Sequence, residues 1–188
     1  VCAGLSALLA LSGAPLPISA SLAVLAGMLL IVVFVTLFRQ YPSEHFIIMA
    51  LSALAWALGN ILWFAESAIF ALVPWWVGYL VLMIAGERLE LSRLRQPPKS
   101  VRRTFHGSVA VILGGLVWSL FDLPTAVRIC GFGFFALALW LLRYDMAWQS
   151  AKQSGLPRFM ACSLIAGYLW LAVGGILWMA FARYFTAG

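Results

Sequence analysis

Along the whole chain, long apolar runs alternate with short polar gaps. The first run, residues 1–11, is closed by Gly13-Ala14-Pro15-Leu16-Pro17. Residues 18–38 form the second, ending at Arg39, and residues 39–44 make a tight connection to the third, residues 45–64. A turn over 65–73 carries Glu66. Pro74 suits the first position of a helix, where its missing N–H has no partner to lose. The helix it opens is expected to run through Ala85 into the charged stretch 87–95. A basic loop, 96–104, precedes the run 105–121, and the turn Asp122-Leu123-Pro124 leads straight into 125–143. A polar loop, 144–157, precedes the last run, 158–184.

A helix needs about 20 apolar residues to cross ~30 Å of hydrocarbon. The pattern therefore predicts an all-α, polytopic transmembrane bundle with six full spans plus a partial one, forming a single transmembrane domain over residues 1–188. No gap is long enough for a soluble domain. The first run is too short to cross, and neither a Met nor a basic segment precedes it, so an intact signal peptide is not expected. The chain reads as a piece of a longer one.

Composition strengthens this reading. Hydrophobic residues make up 64% and charged residues 10%, against about half and about a quarter in soluble domains. Too little polar surface remains to cover a globular core, so lipid is the expected solvent and partner, with other membrane subunits or missing helices beside it. The net charge of +6 does not point to nucleic acid, because the basic residues form no stripe interleaved with aromatics. They sort instead by loop. One side collects Arg39, Arg88, Arg93, Arg95, Lys99, Arg102, Arg103, Arg143, Lys152 and Arg158, and the other only Arg128 and Arg183. Ten against two places the first side in the cytoplasm of a cell (inner) membrane. Trp63, Trp75, Trp76, Trp118 and Trp178 cluster toward the opposite ends, where amphipathic rings anchor at the interface.

A shift of 55 residues lays one hairpin on the next. Ala55, Leu58, Gly59, Trp63, Ala71, Gly78, Leu82 and Arg88 fall on Ala110, Leu113, Gly114, Trp118, Ala126, Gly133, Leu137 and Arg143, while Glu90 meets Asp145. A third copy of the core is Gly174-Gly175-Ile176-Leu177-Trp178. Units over about 45–95, 105–150 and an incomplete 158–188 would be parallel two-helix repeats. Gly59 and Gly114 are expected where helices touch, since a small residue four positions from another lets backbones approach.

Chemistry-bearing residues are few. His45 and His106 each open a helix at the basic rim and are the candidates for cofactor binding. Neither forms a Glu-x-x-His or His-x-x-x-His pair, so a metal site is not expected. Cys2, Cys130 and Cys162 sit inside apolar runs, without a paired spacing. Arg88-x-Glu90 and Arg143-x-Asp145 stand at equivalent helix ends, fit to anchor the rim, gate a pathway or hold an anionic head group. At the other rim Arg128 is the most embedded charge, and Asp122 across the turn is its expected partner. Motifs of soluble catalysis are absent, which decides nothing for a membrane chain.

The stretch Leu156-Pro157-Arg158-Phe159-Met160-Ala161, leading into Gly167-Tyr168-Leu169-Trp170-Leu171-Ala172-Val173-Gly174-Gly175, together with Ala85-Gly86-Glu87-Arg88-Leu89-Glu90, resembles the NnrS family. These are haem- and copper-containing multi-pass proteins linked to nitric oxide tolerance and distantly similar to haem–copper oxidase subunit I. The resemblance implies a redox or nitrosative-stress setting, with this chain as the scaffold and haem or copper held in the full-length protein. The family's histidine-rich helices have no counterpart here, so it carries no ligand onto these residues. Two other classes stay open: a small-molecule transporter or permeability pathway, for which parallel repeats are common, and a non-catalytic subunit of a membrane complex.

Overall fold

The computed structural model describes residues 2–12, 16–65, 68–92 and 98–186. Glu66, Arg93 and Arg95 lie outside them. The described chain is all-helical: α1 (Cys2–Leu11), α2 (Leu16–Gln40), α3 (Glu44–Phe64), α4 (Ile69–Ser92), α5 (Lys99–Trp118), α6 (Leu123–Tyr144), α7 (Ala147–Ser150) and α8 (Leu156–Phe181), then a 3-10 turn, Ala182–Thr186. Among the described residues, five helices are long and apolar enough to cross a membrane, where six full spans are expected: Ile18–Gln40, Glu44–Phe64, Ile69–Ser92, Leu123–Tyr144 and Leu156–Tyr184. The chain has the make-up of a membrane-embedded protein. It divides into two compact units, Val1–Glu87 and Arg88–Gly188.

In the first unit, Ser6 Oγ donates to the Ser19 carbonyl at 2.6 Å, pinning α1 to α2. A Cβ on Gly27 would come within 3.0 Å of the Ala57 Cα, so α2 and α3 touch backbone to backbone there. The contacts of α3 with α4 run in opposite directions along the two helices. Met49 meets Gly86, Ser52 Oγ reaches Met83 Sδ at 3.8 Å, and Trp56 stacks on Tyr79 at 4.9 Å. Gly59 then lies under Trp75, and Trp63 meets the edge of Trp76 at 6.1 Å. Gly59 is thus at a helix contact, as expected. Trp75 is buried in that contact and does not anchor at an interface. Pro74 lies inside α4, which begins at Ile69. Its lost N–H sits in the second turn, and the apolar residues before it continue the helix by burying Leu72.

The second unit is built on α6. Its hairpin partner α5 starts at Lys99, with Pro98 as N-cap, so six residues of the expected basic loop are helical. Lys and Arg are good helix formers, and Trp140 Nε1 holds the new first turn by donating to the Val101 carbonyl at 2.8 Å. Those cations also leave α5 outside the set of five apolar spans. Further along the hairpin Phe105 packs on Trp140 at 4.7 Å and Ile112 on Gly133. A Cβ on Gly115 would come 2.6 Å from Cys130 Sγ. Gly114, assigned to that contact by the repeat, is exposed with nothing within 4 Å of a Cβ. The packing face lies one residue later than expected, a rotation of about 100° around the helix. On the other side of α6, Gly131 and Gly175 lie back to back, each Cβ position within 2.7 Å of the other's carbonyl oxygen. Phe134 meets Trp178 at 5.3 Å beside this crossing.

Candidate functional site

The second unit's most developed polar arrangement lies where α6 ends. Asp145 is the C-cap of α6, its N–H returning to the Leu141 carbonyl at 3.0 Å. The cap turns the side chain inward, and Asp145 is only 1% exposed. A buried carboxylate is costly unless donors surround it, and two neighbours donate to it. Its own successor donates, Met146 N to Oδ1 at 2.8 Å. From α8 the Tyr168 hydroxyl donates to Oδ2 at 2.6 Å, a fully buried bond. The length is typical of a hydroxyl on an ionised oxygen. The Arg88 guanidinium acts on the same phenol electrostatically, so residues from α4, α6 and α8 meet at one point.

The bond also fixes the level of α8. Tyr168 is opposite the end of α6, so residues 156–167 of α8 run on past that end by about 18 Å at 1.5 Å per residue. The chain makes this possible with α7 and a turn at Gly155, whose φ of 76° suits glycine. Between the end of α4, α7 and this overhang lies a cavity of about 320 Å³. Arg88, Leu91, Met146, Ala147, Ser150, Leu156, Pro157, Met160, Ala161 and Leu164 line it. One cation and one hydroxyl thus face a wall otherwise apolar. Leu156 and Met160 are themselves more than half exposed, so the cavity opens along the outer face of α8.

The other candidates divide. Arg143, expected beside Asp145, is exposed and lies over the Tyr144 ring at 5.8 Å. Glu90 is half-buried on α4. Asp122 accepts from Thr125 N at 3.1 Å as the N-cap of α6, and this replaces the expected bond to Arg128, which is exposed. Sequence reasoning missed Tyr168, although one signal was there: a tyrosine deep inside an apolar run needs a partner for its hydroxyl.

His45 and His106 belong to different units. Each is half-buried beside an aromatic neighbour, Phe46 at 4.0 Å and Phe105 at 5.8 Å. Cys130 is packed between α5 and α6 and Cys162 is exposed on α8. No three His, Cys, Asp or Glu side chains come together as a metal donor set among the described residues. No chemistry is therefore routed through a haem or copper centre on these residues.

No curated protein matches this chain, and no solved structure does. A family described as "Domain of unknown function (DUF8744)" matches residues 1–187, so the bundle with its capped Asp145 falls wholly within that match, and the chain belongs to this family.

Proposed function

We propose that the chain is a multi-pass helical scaffold of the cell membrane that holds a polar cluster at the cytoplasmic rim of its second unit. This is the role expected of the membrane part of an NnrS-like redox or nitrosative-stress protein. The observation that carries the scaffold reading is the placement of large and small side chains. Ala53, Ala55, Ala57, Ala126 and Ala138 are buried between helices, while Met28, Val32, Phe159 and Trp170 are turned outward. Small residues at close helix contacts, with many large apolar side chains turned outward, is packing that lipid favours.

In this reading α5 completes six spans, with Lys99, Arg102 and Arg103 at the head-group level, and the ten-to-two distribution of cations sets the orientation. The 55-residue repeat relates the two hairpins as parallel units. The stretch that resembles NnrS supplies packing, because Gly175 in it is the residue that crosses Gly131. An absorption spectrum of the purified full-length protein tests the redox part. A Soret band or a copper signal is expected, and a featureless visible spectrum from cells supplied with haem and copper overturns it. A second reading, a transporter or permeability pathway, is favoured by the cavity beside Arg88. Solute flux into protein-containing vesicles, with no visible chromophore, selects it.

A further inference from the structure

We propose that the cavity at the end of α4 is a binding site for an anionic phospholipid, whose phosphate sits at Arg88 and whose first acyl carbons occupy the apolar wall. The proposal rests on the membrane reading above and adds a ligand to it. Three observations carry it.

The first is the lining. A site for a soluble polar solute needs several convergent polar groups, whereas here Arg88 and Ser150 are set in Leu91, Met146, Leu156, Met160 and Leu164. The ligand must pair one anionic or strongly polar point with an apolar body. The second is size and opening. About 320 Å³ is at the small end of the range of roughly 300–1,000 Å³ usual for ligand pockets. That is room for a head group and the beginning of a chain, not for a whole lipid. The remainder has a path, since Leu156 and Met160 carry the wall out onto the exposed apolar face of α8, where Phe159 is 71% exposed. A ligand held half in a rim cavity and half along a helix face is one delivered by the bilayer.

The third is charge. The segments that frame the cavity carry Arg88, Arg143, Lys152 and Arg158 against Glu87, Glu90 and Asp145, a small excess of cations. Asp145, next in sequence to the lining residue Met146, receives the Tyr168 hydroxyl and the Met146 amide. Arg88 is the charged side chain that lines the opening. Basic pockets between helices on the cytoplasmic side are where anionic head groups bind.

The test uses the full chain reconstituted in phosphatidylcholine bilayers with trace spin-labelled phosphatidylglycerol or spin-labelled phosphatidylcholine. Electron spin resonance reads the fraction of label immobilised by the protein. The phosphatidylglycerol label should be favoured three- to tenfold. Ser150→Glu, which brings a like charge to the lining, and Leu164→Trp, which fills it, should each bring the ratio close to one. Neither touches Arg88, Asp145 or Tyr168, and helicity by circular dichroism confirms that both variants fold. Arg88→Gln should act the same way, but it disturbs the cluster, so the other two variants decide. Equal immobilisation of both labels overturns the proposal, as does a preference unchanged in both folded variants. A preference abolished by millimolar inorganic phosphate also overturns it, since the site then takes the free anion. The membrane reading fails separately, if alkaline carbonate releases the protein from the cell membranes.

Discussion

Tyr168 and Asp145 show how a single pair can set the position of a whole helix. The phenol and the carboxylate are both buried, 2.6 Å apart, in a place where neither can turn to water. Removing the hydroxyl leaves the acceptor short of a donor, which costs about 1–3 kcal/mol. Tyr168→Phe should therefore lower the unfolding free energy by that amount, and Asp145→Asn by a comparable one. The double variant should cost less than the two singles together, because the interaction can be lost only once. Thermal melting in mild detergent checks this, and strictly additive losses would show that the pair is not coupled. Glycine makes the second point at this scale. Gly115 faces Cys130 with no room for a Cβ, so Gly115→Leu should overpack the α5–α6 contact and cost about 1–3 kcal/mol or more. Gly114→Leu should be neutral or slightly stabilising, since an exposed helical glycine is about 1 kcal/mol worse than a good helix former. The same melts decide, and equal losses at both positions would contradict the observed face.

At the scale of elements, what the chain's pattern makes legible is the existence of helices, and what it hides is which way they face. Hydrophobic runs mark seven of the eight helices among the described residues, six of them runs near the length of about 20 residues that has no other use. α7 and the early start of α5 were hidden, since each is made of residues that loops also use. The 55-residue offset matched Gly59 to Gly114 by identity, yet contact uses Gly59 in one hairpin and Gly115 in the other. A one-residue error in a helix turns a contact out to lipid, and letters alone do not report rotation. Half of the candidate site was legible in the same way. Arg88 and Asp145 stand out as charges in an apolar context, whereas Tyr168 belongs to another helix, and only folding brings it across. The turn before α6 shows a charge read correctly for place and wrongly for partner. Asp122 caps the helix through Thr125 N, so Asp122→Ala should cost about 1 kcal/mol. Arg128→Gln, at an exposed position, should stay within about 0.5 kcal/mol. If Arg128→Gln costs as much as Asp122→Ala in the same melts, an Asp122–Arg128 pair contributes after all.

For the whole molecule, the distribution of cations gives an expected orientation in a membrane. Moving a cluster of Lys and Arg across a bilayer during insertion is opposed, so short loops rich in them stay in the cytoplasm. The connection around residues 93–103 holds five cations, Arg93, Arg95, Lys99, Arg102 and Arg103, while the turn at 65–73 holds none and carries Glu66. These two connections stand at opposite ends of α4, so one must be inside if the other is outside, provided α4 crosses. A reporter that is active only in the cytoplasm, fused after Lys99, should be active, and the same reporter after Glu66 should be silent. A reporter active only outside should give the reverse. Activity on the same side at both positions would show that α4 does not cross, and the six-span reading would fall with it. The opposite pair of signals would keep the spans and invert the molecule. Arg88 and the cavity beside it would then face the outer leaflet, and the lipid bound there would have to come from that side.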